Sequence, residues 1–395
     1  MRLRAPKFIQ IAIATVMVQL VFSVNAQVSD PLPAIYDTNQ YLPLLTGKNI
    51  GVVANQTSVI GDVHLVDFLL EQEIKIKTVF APEHGFRGKA DAGEKVEDGK
   101  DAKTGLPIIS LYGKNKKPSQ EMLEGLDLIL FDIQDVGVRF YTYISTLSYV
   151  MEAAAEKGIR VMVLDRPNPN GYFIDGPVLK SEFSSFVGLH PVPVVYALTI
   201  GEYGKMVNGE GWLKDGLNCD YTVIPCLNYR HAMRYSLPVK PSPNLPNDLS
   251  IALYPSLCFF EGTIVSVGRG TNKPFQQYGA PWATSFTHVF TPTPNEGAKY
   301  PKHENKPCYG KGYTKDDLNS YSGGIDLEPL ILMYQNAPDK QKYFNAFFKK
   351  LAGTDQLQKD IEAGKSEEDI KAGWESELEY FKQIRAKYLI YQDYE

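Results

Sequence analysis

The chain has 395 residues, 44% hydrophobic and 22% charged, with a formal net charge of -5. This is the composition of a folded globular protein with room for two or three domains. The mild negative balance argues against nucleic acid as a partner, because phosphate binding needs a concentrated basic face.

The N-terminus reads as a secretory leader. Arg2, Arg4 and Lys7 precede an apolar stretch from Ile9 to Val24, and Val24-Asn25-Ala26 offers small residues at the cleavage positions. This order predicts a signal peptide over residues 1–26, cut after Ala26. The stretch is short and contains Gln10 and Gln19, which disfavours a spanning helix. A secreted or periplasmic protein is expected, with no stable membrane insertion after cleavage.

The first half alternates strands and helices. Strands are expected at Asn49–Thr57, Ile74–Phe80, Pro107–Leu111, Leu126–Phe131 and Ile159–Leu164. Helical segments are expected at His64–Glu71 and Ser145–Lys157, the latter stopped by Gly158, with a helical turn at Ser119–Leu123 capped by Ser119. This β-α-β-α order predicts an α/β fold, a Rossmann-like N-terminal domain with a parallel sheet covered by helices.

Polar loops follow the strands. The first strand ends in Asn55-Gln56-Thr57 and the second in Pro82-Glu83-His84-Gly85-Phe86-Arg87-Gly88. The Leu126 strand leads into Asp132-Ile133-Gln134-Asp135-Val136-Gly137-Val138-Arg139, and the Ile159 strand into Asp165-Arg166-Pro167-Asn168. Ligands of open α/β sheets sit outside the carboxyl ends of the strands, so these loops converge on one edge. Glu83, His84 and Arg87 place a carboxylate, an imidazole and a guanidinium within five positions, which suits acid/base chemistry on a polar or anionic substrate. The alternative is a loop ion pair between Glu83 and Arg87, with His84 solvated.

Several chemistries lack their signatures. No GxGxxG follows the first strand, no GxxxxGK[ST] is present, and no GxSxG elbow appears. Asp132, Asp135 and Asp165 with His84 have the donor types for a divalent cation. Their Arg and Asn neighbours point instead to a sugar-binding edge, so neither a metal nor a cofactor is expected. The cysteines are Cys219, Cys226, Cys258 and Cys308, without zinc-ligand spacing. In an oxidising compartment one pair could be bridged, Cys219 and Cys226 being nearest in sequence.

The second half is less regular. Thr199 stands three residues before Glu202, a capping box that gives Glu202 a structural role. The segment Pro238–Pro246 carries four prolines and marks a linker or rigid loop. It divides a domain at residues 40–237 from one at 238–395. Arg269 between Gly268 and Gly270 suits an anion-holding loop. Trp374, Leu378, Phe381 and Ile384 have core spacing on a helical tail.

PEHGFRG at 82–88, DIQDVGVRFYTY at 132–143, DRPNP at 165–169, PSPNLP at 241–246 and EGT with GRGT at 261–271 occur in that order. Together they resemble the exo-β-N-acetylmuramidase family, long catalogued as a domain of unknown function, over roughly residues 48–395. The chain departs from the expected pattern at Ile264 and Val267, apolar where polar residues are expected. The resemblance implies a Rossmann-like domain joined to a smaller α/β C-terminal domain with an active-site cleft between them. The implied activity is removal of terminal N-acetylmuramic acid from the non-reducing end of peptidoglycan fragments such as MurNAc-GlcNAc.

Glycoside hydrolysis needs a group to protonate the leaving oxygen and a base, nucleophile or internal acetamido group at the anomeric carbon. Glu83 matches the family's proposed catalytic glutamate, with His84 beside it tuning it or binding a sugar hydroxyl. Asp135 ranks first as the second group, ahead of Glu94 and Glu261. Muramic acid carries a lactyl carboxylate, which a guanidinium recognises with two bonds. Arg87, Arg139, Arg269 and Arg166 are the candidates. For Arg139 and Arg166 the alternative is structural pairing with Asp135 and Asp165. Asn55 and Asp165 complete the polar edge, and Tyr141, with Tyr143, offers a stacking face. Two other readings stay open: a non-catalytic binder of wall fragments, and a hydrolase of another bond on a wall sugar.

Overall fold

The computed structural model describes residues 30–86 and 98–394. The leader at 1–26, Arg87 and Glu94 lie outside the described residues. Nine strands of the N-terminal half run in chain order as β1 (Asn49–Ala54), β2 (Val59–Ile60), β3 (Val63–His64), β4 (Lys75–Ala81), β5 (Gly99–Lys100), β6 (Pro107–Ser110), β7 (Leu128–Asp132), β8 (Arg160–Leu164) and β9 (Tyr221–Ile224). Seven of them form one sheet in the order β5-β6-β4-β1-β7-β8-β9. Every pairing in it is parallel except β5 with β6. Without the edge strand β5 this is the doubly wound order of a Rossmann sheet.

The sequence forms this sheet because its strands are apolar on both faces. β7, Leu-Ile-Leu-Phe-Asp, is buried at all five positions, as a parallel strand covered by helices on both sides must be. Helices α1 (Thr38–Leu45), α2 (Leu65–Glu71), α3 (Tyr143–Lys157) and α4 (Ile200–Gly209) accompany these strands. α3 ends at Gly158, whose φ of +73° allows its amide to turn back onto the carbonyls of Ala154 and Ala155. The helical turn expected at Ser119–Leu123 is a run of hydrogen-bonded turns over residues 120–125 that does not grow into a helix. Ser119 does accept from the Met122 amide at 3.4 Å, but Gly125 at φ +64° turns the chain toward β7 before a helix can propagate.

Beyond the proline-rich loop come α5 (Asp248–Leu257) and a three-stranded antiparallel sheet, ordered β10-β12-β11, of β10 (Gln277–Ala280), β11 (His288–Phe290) and β12 (Cys308–Gly312). Six short helices follow: α6 (Lys315–Ser320), α7 (Glu328–Gln335), α8 (Ala346–Ala352), α9 (Gln356–Glu362), α10 (Glu367–Ala372) and α11 (Glu375–Ala386). Trp374, Leu378, Phe381 and Ile384 are buried, as their spacing requires. One apolar core extends from Val53 to Ile384 through both halves, and a second covers the other face of the large sheet.

All four cysteines are buried free thiols. Cys219 and Cys226 flank β9, and seven residues of extended chain separate Cα atoms by on the order of 20 Å, beyond the reach of a disulfide.

The chain's end returns to the large sheet. Tyr391 donates to Asp165 Oδ2 at 2.6 Å, the Ile390 amide donates to Glu202 Oε1 at 2.8 Å, and Arg385 donates to the Ala197 carbonyl at 2.8 Å. Asp165 also accepts from Thr199 and from the Gly201 amide. Burial raises its pKa to about 6 against these donors. A carboxyl whose folded pKa exceeds its unfolded value of 3.8 contributes most stability below pH 4 and loses that contribution as pH rises through 6. Asp165→Asn therefore gains stability relative to the parent between pH 4 and 6, on the order of 3 kcal/mol. Urea unfolding at both pH values reads this directly. A difference independent of pH excludes the linkage.

Candidate active site

β4 delivers Glu83 to the carboxyl edge of the sheet. Pro82 ends the strand because it has no amide to donate. The Gly85 amide closes a turn onto the Pro82 carbonyl at 3.0 Å. His84 at φ +70° and Gly85 at φ +77° are both left-handed. For His84 that is a strained backbone, of the kind concentrated at functional sites. The turn leaves Glu83 only 9% exposed.

Thr142 Oγ1 donates to Glu83 Oε2 at 2.6 Å. Thr142 is the N-cap of α3, yet its side chain makes no capping bond. Its hydroxyl is committed to the carboxylate, bringing the loops after β4 and β7 together. A typical intramolecular hydrogen bond contributes about 0.5–1.5 kcal/mol. Thr142→Val therefore lowers kcat by up to about tenfold, and Thr142→Ser retains most of it. Equal losses in both variants would remove the hydroxyl from the argument.

Glu83 and His84 open into a cavity of about 450 Å³, within the range of small-molecule sites. Phe140, Tyr141 and Thr142 line it from the β7 loop; Ser242, Asn244 and Leu245 from the proline-rich loop; Tyr254, Cys258, Glu261, Arg269 and Phe275 from the second half. Tyr141 packs edge-on against Tyr143 at 4.9 Å and Tyr254 at 6.0 Å, and Phe140 against Tyr254 at 5.3 Å. Burial raises the Tyr141 pKa well above its ordinary value, with the tyrosines beside it adding to the effect, so it stays a neutral hydroxyl at physiological pH.

Glu261 and Arg269 form an ion pair at 3.0 Å across the second half's side of the cavity. Gly268 and Gly270, at φ +76° and +80°, let the chain bend sharply on either side of Arg269. Lys302 braces the preceding loop, donating to the carbonyls of Phe260, Thr263 and Val265 at 2.6–3.0 Å. Ile264 and Val267 pack with the core, so neither lines the cavity.

Of the residues singled out in the sequence, Glu83, His84, Tyr141, Glu261 and Arg269 meet at this cavity. Others, Tyr143 and Asp132 among them, do not line it. Asp135, ranked first as the second catalytic group, is a buried loop anchor. Its Oδ2 accepts from the Gly137 amide at 2.7 Å and from the Tyr196 hydroxyl, and burial raises its pKa to about 6. Arg139 is fully buried and does not pair with Asp135. It donates to the carbonyls of Pro177, Val192, Leu351 and Ala352 at 2.7–2.9 Å. Arg166 pairs with Asp132 through two bonds of 2.5 and 2.9 Å, not with Asp165. Asp165 receives the C-terminal tail. Asn55 acts at one remove: it donates to the Tyr143 hydroxyl at 2.9 Å, which donates to the Pro241 carbonyl at 3.2 Å.

Thr142, Ser242, Asn244, Tyr254, Lys116 and Lys350 also line the cavity and were not legible as site residues. For Ser242 and Asn244 a signal existed, since PSPNLP combines turn residues with rigid prolines, but composition alone favours a linker.

Comparison with known proteins shows which family the chain resembles. A family model described as exo-beta-N-acetylmuramidase NamZ, N-terminal, matches residues 50–249, and its C-terminal counterpart matches residues 252–391. The peptidoglycan beta-N-acetylmuramidase NamZ of Bacillus subtilis (strain 168) is 41% identical over 377 residues, with 89% of each chain covered. Two crystal structures of DUF1343 family proteins from Bacteroides fragilis NCTC 9343 are also similar. The first has a TM-score of 0.87 at 46% identity, covering 93% of this chain and 100% of its own. The second has a TM-score of 0.79 at 28% identity, covering 92% and 99%.

Proposed function

The chain belongs to the exo-β-N-acetylmuramidase NamZ family, and from that membership we propose how its cavity acts on peptidoglycan. It is an exo-acting glycoside hydrolase that releases terminal N-acetylmuramic acid. The observation that carries the site assignment is Glu83, a shielded carboxyl group held by Thr142 at 2.6 Å on the wall of an aromatic cavity. A carboxyl group positioned on the wall of such a cavity is within reach of a bound glycosidic oxygen.

In this reading Glu83 is the general acid. Glu261 is the other carboxylate lining the cavity among the described residues, and it takes the complementary role at the anomeric carbon. Arg269, paired with it, sets its orientation. His84 and Asn244 offer hydrogen bonds to sugar hydroxyls, and Tyr141 and Tyr254 offer apolar faces to the ring. The saccharide proposed is MurNAc-GlcNAc, held with its muramyl end innermost. The leader pattern at residues 1–26 supports export, which would bring the mature enzyme to the wall.

The test is incubation of the mature protein with MurNAc-GlcNAc, following free N-acetylmuramic acid by chromatography. Release of the monosaccharide is the expected result. A folded protein that binds the disaccharide and leaves it intact would favour a binding module.

A further inference from the structure

Two lysines line the cavity without an acidic partner among the described residues: Lys116, from the loop after β6, and Lys350, from α8. Both are placed by specific contacts. Lys117, the next residue, pairs with Glu152 at 3.1 Å and Glu156 at 2.7 Å on α3. That anchors the loop to α3 and leaves Lys116 on the cavity side. Lys116 Nζ then sits 4.5 Å from the centre of the Phe186 ring, a cation–π contact that restrains its long side chain. Phe186 is itself held, stacked on Tyr149 with 6° between the rings and beside Tyr112.

On the other side, Arg139 Nη2 donates to the carbonyls of Leu351 and Ala352 at the end of α8. This fixes the backbone of α8 next to Lys350, one residue earlier, whose exposed side chain lines the cavity. Among the described residues the other cation on the wall, Arg269, faces Glu261 at 3.0 Å. Its charge is opposed by a carboxylate within the wall, whereas those of Lys116 and Lys350 are not. An apolar surface with two unopposed cations is the chemistry that accepts an anionic group on a small, ring-shaped ligand.

Building on the muramidase reading, we propose that Lys116 and Lys350 form the subsite for the carboxylate borne by the muramyl residue. That carboxylate is either the lactyl group itself or the terminus of a short peptide attached to it. The subsite thereby selects muramyl over glucosaminyl ends.

The experiment uses three chromogenic glycosides of N-acetylmuramic acid: the free lactyl acid, its L-alanine amide, and its uncharged methylamide. The enzymes are the wild type, Lys116→Met, Lys350→Met and the double variant. Wild type is expected to favour the free acid over the methylamide by about 10–100-fold in kcat/KM, the size of a charge-assisted contact. The double variant loses that preference through a higher KM for the free acid, so that its acid-to-methylamide ratio falls toward one. If only the preference for the L-alanine amide collapses, the lysines read a peptide carboxylate, and the subsite stands. A double variant that keeps both the acid-to-methylamide and the L-alanine-amide-to-methylamide ratios overturns the subsite, as does a wild type without either preference. Failure of the wild type to cleave all three substrates overturns the muramidase reading itself and is separable from both.

Discussion

Glu83→Gln lowers release of N-acetylmuramic acid by about 10²–10⁴-fold, the usual contribution of a positioned general acid. The amide preserves size and still accepts the 2.6 Å bond from Thr142, so folding is retained. What is lost is the proton for the leaving oxygen. The reduction therefore falls on kcat, with KM little changed. A substrate whose leaving group needs no protonation, such as a dinitrophenyl glycoside, regains much of the rate. The checks are steady-state kinetics on both substrates and circular dichroism of the variant. Wild-type kcat in a folded Glu83→Gln protein would transfer the acid role elsewhere.

Arg139→Met destabilises the protein by about 3–5 kcal/mol, in the range reserved for buried polar networks. The side chain is fully buried, and burial lowers its pKa to about 9, still well above neutrality. Its charge is solvated by four carbonyls in place of a carboxylate. Methionine fills the volume of the stem and leaves those carbonyls without a donor, which costs more than the net worth of the bonds themselves. Gly353 shows how closely the arginine is fitted: a Cβ there would lie 2.6 Å from Arg139 Nη2. Two of the four carbonyls belong to α8, so activity suffers too, through the wall carrying Phe347 and Lys350. A lower midpoint in urea, with a raised KM at low temperature, is the expected pattern. An unchanged midpoint would show that water replaces the guanidinium without cost.

Both predictions concern residues that stood out in the sequence; Glu83 lines the cavity, whereas Arg139 is buried away from it. Glu83 was legible because its signal is local. An alternating apolar strand, a proline that ends it and glycines that turn it place a carboxylate at a strand's carboxyl end in any parallel sheet. Arg139 carried the same kind of signal, an arginine after a strand, and was taken for a ligand for the substrate's carboxylate. Its carbonyl partners lie up to 213 residues away, and carbonyls are present at every position, so no pattern in the chain announces them. Asp135 is likewise held away from the cavity: its partner Tyr196 comes from a segment whose proximity depends on the fold of the loop after β8.

The apolar runs by themselves determined the parallel strands and the helices between them, and capping residues determined the stop of α3 and the start of α4, because burial and capping act over a few residues. The ordered motifs determined the family. The tertiary structure decided which polar loops face the cavity and which bury their charges. Asp132 with Arg166, Asp165 with Tyr391 and Arg139 with α8 are partnerships over long separations. Whether a charged group meets solvent, substrate or a buried partner depends on the packing around it.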